Sequence, residues 1–180
     1  PGTAVTGYGV IRKEGRNPLA LVECGVIRTK PRDDLANRLA EIHEGVVELI
    51  RRHKPQVLSI EDIFYARNVR TTVVLGHARG VILLAANQAG LDIHEFPPAE
   101  IKKAVAGTGA ATKLQIQFMV TRLLRLKSAP QPTDAADGVA AALAYALMPD
   151  LPRIEPMRLA RVADKARTFP SPSIADVRRP

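Results

Sequence analysis

The sequence has no tryptophan and only three tyrosines and four phenylalanines in 180 residues. Its one cysteine, Cys24, cannot form an internal bridge, which excludes a disulfide-built scaffold and makes a reducing, cytoplasmic compartment the expectation. No leader pattern heads the chain. Long hydrophobic runs are missing too: stretches such as Val81 to Ala86 are far below the roughly 20 apolar residues of a membrane span. Acidic residues are in deficit, 18 against 26 Lys and Arg, for a net charge of +8. What is present is 46% hydrophobic residues with 24% charged, the balance of a globular protein and not of a disordered chain. The surplus of positive charge points to a polyanionic partner.

That surplus is uneven. Residues 151–180 carry seven basic and three acidic side chains with Pro152, Pro156, Pro170, Pro172 and Pro180. Few large apolar residues are available there to offset the entropy of ordering. The chain therefore divides into a domain over 1–149 and a basic, proline-rich tail over 150–180, expected to be disordered. It opens Pro1-Gly2 in what reads as the end of a turn leading into a strand, so further residues are expected upstream.

Ala4 to Lys13 and Leu19 to Thr29 are β-rich and separated by the turn cluster Glu14 to Pro18, the pattern of an antiparallel hairpin. Leu35, Leu39, Ile42, Val46, Leu49 and Ile50 then recur at helical spacing, with Asp33 and Asp34 read as an acidic start and Arg51 to Lys54 as a basic end. Val57 to Ile60 is a short buried strand. Val69 to Ala89 is a helix with Gly76 and Gly80 four apart, and Ile93 to Phe96 is another strand. Helices follow from Pro98 to about Ala106, from Lys113 to Leu126 and from Asp134 to Met148. The fold class is α/β, with a mixed β-sheet flanked by α-helices.

Glu61 stands at the C-terminal end of a central strand, the edge where open α/β sheets place their ligands. A carboxylate there needs a hydrogen bond, a metal or a salt bridge to an arginine; Asp62, on the other side of the strand, reads as solvated. Asp134 and Asp137 share a face at a helix start, where they either converge on a ligand or serve the helix, with Thr133 or Asp134 as its cap. Gly138 and the small residues after it require that this helix pack very closely on something. Three such carboxylates form a hard-oxygen set suited to Mg²⁺ or Mn²⁺. From Gly107 to Lys113 the chain imitates a phosphate loop, but Thr112 occupies the place of the glycine before the lysine. Thr112 and Gln115 fit a capping box instead. Lys113 in the first turn opposes the helix dipole, which favours a bound anion there; with Lys102 and Lys103 it makes either a clamp for DNA phosphates or a set of solvated lysines. Phe64 and Tyr65, near Arg67 and Arg70, either stack on bases or close the core. The four histidines show no metal-ligand spacing, and Cys24 is a packing residue.

Five separated motifs, in order over residues 1–148, resemble the crossover junction endodeoxyribonuclease RuvC family: Thr6 to Val10, Ser59 to Phe64, Gly76 to Gly80, Lys102 to Gly109 and Asp134 to Gly138. The resemblance implies a ribonuclease H-like fold, a homodimer, and Mg²⁺-dependent resolution of four-way (Holliday) junctions downstream of the RuvA–RuvB branch-migration complex. It assigns Glu61, Asp134 and Asp137 to the metal-binding carboxylates and Phe64 to the aromatic at the junction centre. Lys102 and Lys113 match residues acting on the DNA backbone, and Lys103 and Arg70 are added as neighbouring DNA-binding cations. A fourth family carboxylate falls directly before Pro1, so the 180 residues are expected to be impaired in cleavage. The expected chemistry uses two Mg²⁺ ions per subunit, with Mn²⁺ as an alternative, and Lys113 offsetting charge on the phosphate. The rival reading keeps the lysines and Phe64 but not the cleavage, as a junction-binding module. An ATP-binding branch of the fold lacks room for its second domain, and a plain ribonuclease H does not account for Phe64 and the Gly107–Lys113 segment.

Overall fold

The structure, a computed structural model, describes residues 2–15, 18–62 and 69–148, the side chains of 69 and 70 excepted. The proposed tail, Phe64 and Tyr65, Arg67 and the side chain of Arg70 lie outside the described residues. Strands β1 (Val5–Arg12) and β2 (Ala20–Arg28) form the expected hairpin, antiparallel, with Tyr8 opposite Gly25. Helix α1 (Leu35–His53) leads to β3 (Val57–Glu61); helix α2 (Val69–Gln88) connects it to β4 (Asp92–Phe96), which pairs parallel to β3. Helices α3 (Pro98–Ala106), α4 (Lys113–Leu123) and α5 (Thr133–Ala146) complete the order. Both parallel and antiparallel pairings are present, as expected. Among the described residues they form two two-stranded ladders, β1–β2 and β3–β4.

The strands lie between two helical layers. Ile42 and Val46 of α1, Ala78, Ile82 and Ala85 of α2, and Ile60 of β3 form one buried cluster. Val105 of α3, Ile116 and Val120 of α4, and Val139 and Leu143 of α5 form the other. Strand alternation explains the division on β3: Leu58 and Ile60 face α1 and α2, so Ser59 and Glu61 face the opposite way, toward α5.

One local expectation is corrected. Asp33 and Asp34 precede α1 instead of filling its first turn, and Asp34, at the N-cap, makes no side-chain cap bond. At the other end Arg52 and His53 are recruited by a carboxylate on β2. Glu23 takes the Tyr8 hydroxyl proton donor at 2.7 Å, Arg52 Nη2 at 2.8 Å and His53 Nε2 at 2.8 Å. The Tyr8 hydrogen bond comes first among the causes that hold the Glu23 carboxyl below the usual range, followed by the His53 and Arg52 contacts. The thiol of Cys24, beside it on β2, is pushed up by burial, which agrees with a packing role.

Candidate active site

The seat of α5 begins with small residues. A Cβ on Gly138 would lie 2.5 Å from the backbone N and Cα of Tyr8, and one on Gly7 would run into the carbonyl of Asp134. Gly9 meets Val139 at 2.6 Å in the same way. The first turns of α5 therefore rest directly on the backbone of β1, the close approach that Gly138 and its small neighbours require.

A second tie joins α5 to β3. Ser59 Oγ donates to the carbonyl of Ala141 at 2.5 Å. On β4, next to Ser59 in register, the His94 ring lies 4.5 Å from that of Tyr145. The Tyr145 hydroxyl is pushed up by burial and then by the charge of Asp92, at the start of β4. The beginnings of β3 and β4 thus face the C-terminal end of α5, and their ends face its N-terminus. Two residues onward from Ser59 cover about 6.6 Å of strand, and four residues back from Ala141 cover about 6 Å of helix. These matched steps lead to Glu61 on one side and Asp137 on the other.

Glu61 is the last residue of β3, opposite Phe96 and half-buried. Among the described residues it forms no ion pair. The neighbouring arginine, Arg79 of α2, has a side chain only 15% exposed and pairs with Asp62, at 3.3 Å, and with Glu95. Asp62, read as solvated, is therefore half-exposed and ion-paired.

Asp134 and Asp137 are exposed on the first turns of α5. The N-cap is Pro132, with no side-chain cap bond, and Thr133 is already helical. Neither Thr133 nor Asp134 is the cap, because the helix starts one residue earlier than the sequence pattern predicts. The capping account of Asp134 is removed, while its place at the positive end of the helix remains.

The Thr112–Gln115 capping box forms as expected: Gln115 N–H donates to Thr112 Oγ1 at 3.3 Å, and Thr112 N–H to Gln115 Oε1 at 2.8 Å. It starts α4 so that Lys113 Nζ reaches 3.6 Å from Asp137 Oδ2. Both side chains are exposed, so the pair adds little stability, about 1 kcal/mol at most. Its significance is placement of a cation beside a carboxylate edge. Lys102 and Lys103 stand at the end of α3, which closes on Gly107 in the left-handed region (φ 79°) with its N–H on the Lys103 carbonyl at 2.8 Å.

The three carboxylates supply hard oxygen donors of the kind Mg²⁺ and Mn²⁺ take. Among the described residues no group of three His, Cys, Asp or Glu side chains is gathered closely enough to hold a metal ion. The backbone brings their bearers to one edge, and the donor chemistry fits a divalent cation; a closed cage is not formed. Arg79 was not singled out from the sequence. Its partners lie just after β3 and on β4, so its linear signal was only a cation in a largely apolar helix.

Comparisons with known proteins point to one family. The family model described as crossover junction endodeoxyribonuclease RuvC matches residues 1–145. The RuvC of Pelotomaculum thermopropionicum is 48% identical over 146 residues, covering 81% of this chain and 88% of its own length. That of Halorhodospira halophila is 49% identical over 146 residues, with 81% and 86% covered. The Thermus thermophilus RuvC structure superposes with a TM-score of 0.75 at 34% identity, over 82% of this chain and 90% of that one. The same protein in complex with Holliday junction substrate gives 0.74 at 32% identity, with 82% and 89% covered.

Proposed function

The chain belongs to the crossover junction endodeoxyribonuclease RuvC family and has its ribonuclease H-like fold, and from that premise we propose that it resolves Holliday junctions in DNA recombination and repair. The reaction is paired, symmetric, metal-dependent hydrolysis of phosphodiester bonds. What supports this reading is the seating of α5 on β1 and its tie to β3 through Ser59 and Ala141, with Lys113 Nζ 3.6 Å from Asp137 Oδ2.

Glu61, Asp134 and Asp137 would hold the metal, two Mg²⁺ per subunit with Mn²⁺ as a substitute. When bound, such a pair lowers the pKa of a water nucleophile and neutralises charge on the leaving 3′ oxygen. The chain's own residues do the rest. Lys113, brought to this edge by its capping box, donates to a phosphate oxygen and offsets its growing negative charge. Lys102 and Lys103 bind the backbone, with Arg70, and fix the strand's register. Phe64 occupies the junction centre, where an aromatic wedge stabilises unstacked bases. A fourth carboxylate of the family falls directly before Pro1, so the test below includes a chain that carries it.

A four-way junction has two-fold symmetry, so a C2 homodimer presents two such edges to opposed strands. The seam is assigned to α2. Among the described residues a Cβ at Gly76 or Gly80 would meet nothing within 4 Å, which supports a bare face there over packing on the strands. Gly80→Ala should weaken the dimer in sedimentation and leave the monomer's helix content intact; an unchanged dimer would place the seam elsewhere. The RuvA–RuvB complex is the upstream partner in this reading.

The direct test mixes an end-labelled synthetic four-way junction with the protein, both as the 180 residues and with the upstream carboxylate supplied, with and without Mg²⁺. Linear duplex and RNA–DNA hybrid run alongside. Symmetric Mg²⁺-dependent nicks on the junction alone are expected. Asp137→Asn should abolish them while junction binding persists; normal cleavage by that variant would refute the carboxylate assignment.

A further inference from the structure

Helix α4 has an inner face that the fold uses and an outer face that it does not. Ile116, Val120 and Leu124 are buried against α3 and α5. On the outer side Leu114 is 78% exposed and Phe118 61% exposed. With Arg122 they stand at i, i+4 and i+8, a single stripe along the helix. The Arg122 guanidinium carbon lies 5.9 Å from the centroid of the Phe118 ring. Leu114 and Phe118 also border a groove of about 350 Å³ between α3 and α4, with Ala106, Ala111 and Met119 beneath.

The charge around this stripe selects its occupant. Between Glu100 and Asp134 the sequence has six Lys and Arg residues and not one Asp or Glu. Lys113 begins the same helix and points into the candidate active site. A protein-binding helix would meet this surface only by supplying all the negative charge itself. A nucleic acid strand supplies phosphates for the cations and a flat apolar face for the ring. Phe118 lies about 7.5 Å along the helix axis from Lys113, roughly two base steps of a DNA strand.

We propose that the outer face of α4 is a nucleobase platform, on which Phe118, flanked by Leu114 and backed by Arg122, stacks an unstacked base of the junction strand within about two nucleotides of the phosphate held at Lys113. This rests on the proposed junction-binding function. Stacking on an exposed aromatic is tolerant of sequence because every base has a π-face. The platform therefore adds preference for branched over linear DNA, where no base is unstacked, without reading sequence.

The test uses the whole chain, a synthetic four-way junction with 2-aminopurine at the branch nucleotides, and titrations over a range of salt. Phe118→Ala should weaken junction binding roughly five- to hundredfold, the range measured for base–aromatic stacking. It should also abolish the 2-aminopurine quenching and leave the slope of log K against log salt unchanged, because no phosphate contact is lost. Phe118→Tyr should restore both. Arg122→Gln should instead lower the slope by about one phosphate contact. Phe118→Ala with wild-type affinity and quenching would overturn the platform while leaving the junction-binding reading intact. The same result together with loss of a protein ligand would reassign the face to protein docking. Failure of the unaltered chain to bind the junction would remove the function and the platform together.

Discussion

Replacing Gly138 with alanine tests the contact on which the whole site depends. Its Cβ would lie 2.5 Å from both the N and Cα of Tyr8 and 2.7 Å from the carbonyl carbon of Gly7, whereas ordinary contact begins at 3.4 Å. No rotamer change relieves this, because all three opposing atoms are backbone. Tyr8 is held opposite Gly25 by the β1–β2 ladder, so α5 must move, by about 1 Å, judged from packing distances near van der Waals contact. That movement loosens Val139 and Leu143, both 0% exposed. Overpacking of this kind costs about 1–3 kcal/mol, and the unyielding backbone places it at the upper end. Alanine returns about 1 kcal/mol in helix propensity. A net loss of about 2 kcal/mol follows, which lowers the urea midpoint by roughly 1 M for a slope near 2 kcal/mol/M. Because Asp134 and Asp137 ride on the displaced turn, cleavage should fall about 100-fold, more than the stability loss alone explains. A Gly138→Ala protein with an unchanged midpoint would refute the backbone-on-backbone seat.

Glu23 gives a pH prediction. Its folded pKa lies below the ordinary 4.5, so the stability it contributes is present above that value and is lost as pH falls through the lower folded value. Glu23→Gln should cost about 1–2 kcal/mol at neutral pH and flatten the acid side of the stability profile, read by urea titrations across pH; a profile that keeps its acid limb would remove Glu23 as its source. Lys113→Ala should change the unfolding free energy from urea titration by no more than about 1 kcal/mol, since the pair with Asp137 is exposed, yet reduce junction cleavage by roughly 10–100-fold. Equal losses in stability and cleavage would make Lys113 structural only.

The chain order of helices and strands was legible because each segment carries its own periodicity and punctuation. The Thr112–Gln115 capping box needs only residues three apart, and it forms as read. The start of α5 was misplaced by one residue because Pro132 has no side-chain signal for a cap. The roles of Asp62 and His53 were missed for a different reason: their partners, Arg79 and Glu23, come from distant segments. Linear spacing contains no trace of such pairs.

By itself, then, the sequence determined the elements, the set of carboxylates and lysines, and the family they match, since local propensity and motif order are properties of neighbouring residues. Tertiary structure alone decided which of these meet. Gly7 and Gly138 admit α5 onto β1, Ser59 ties it to β3 through Ala141, and Lys113 is carried to Asp137. These contacts depend on how closely two backbones approach, a distance that only the packed chain sets.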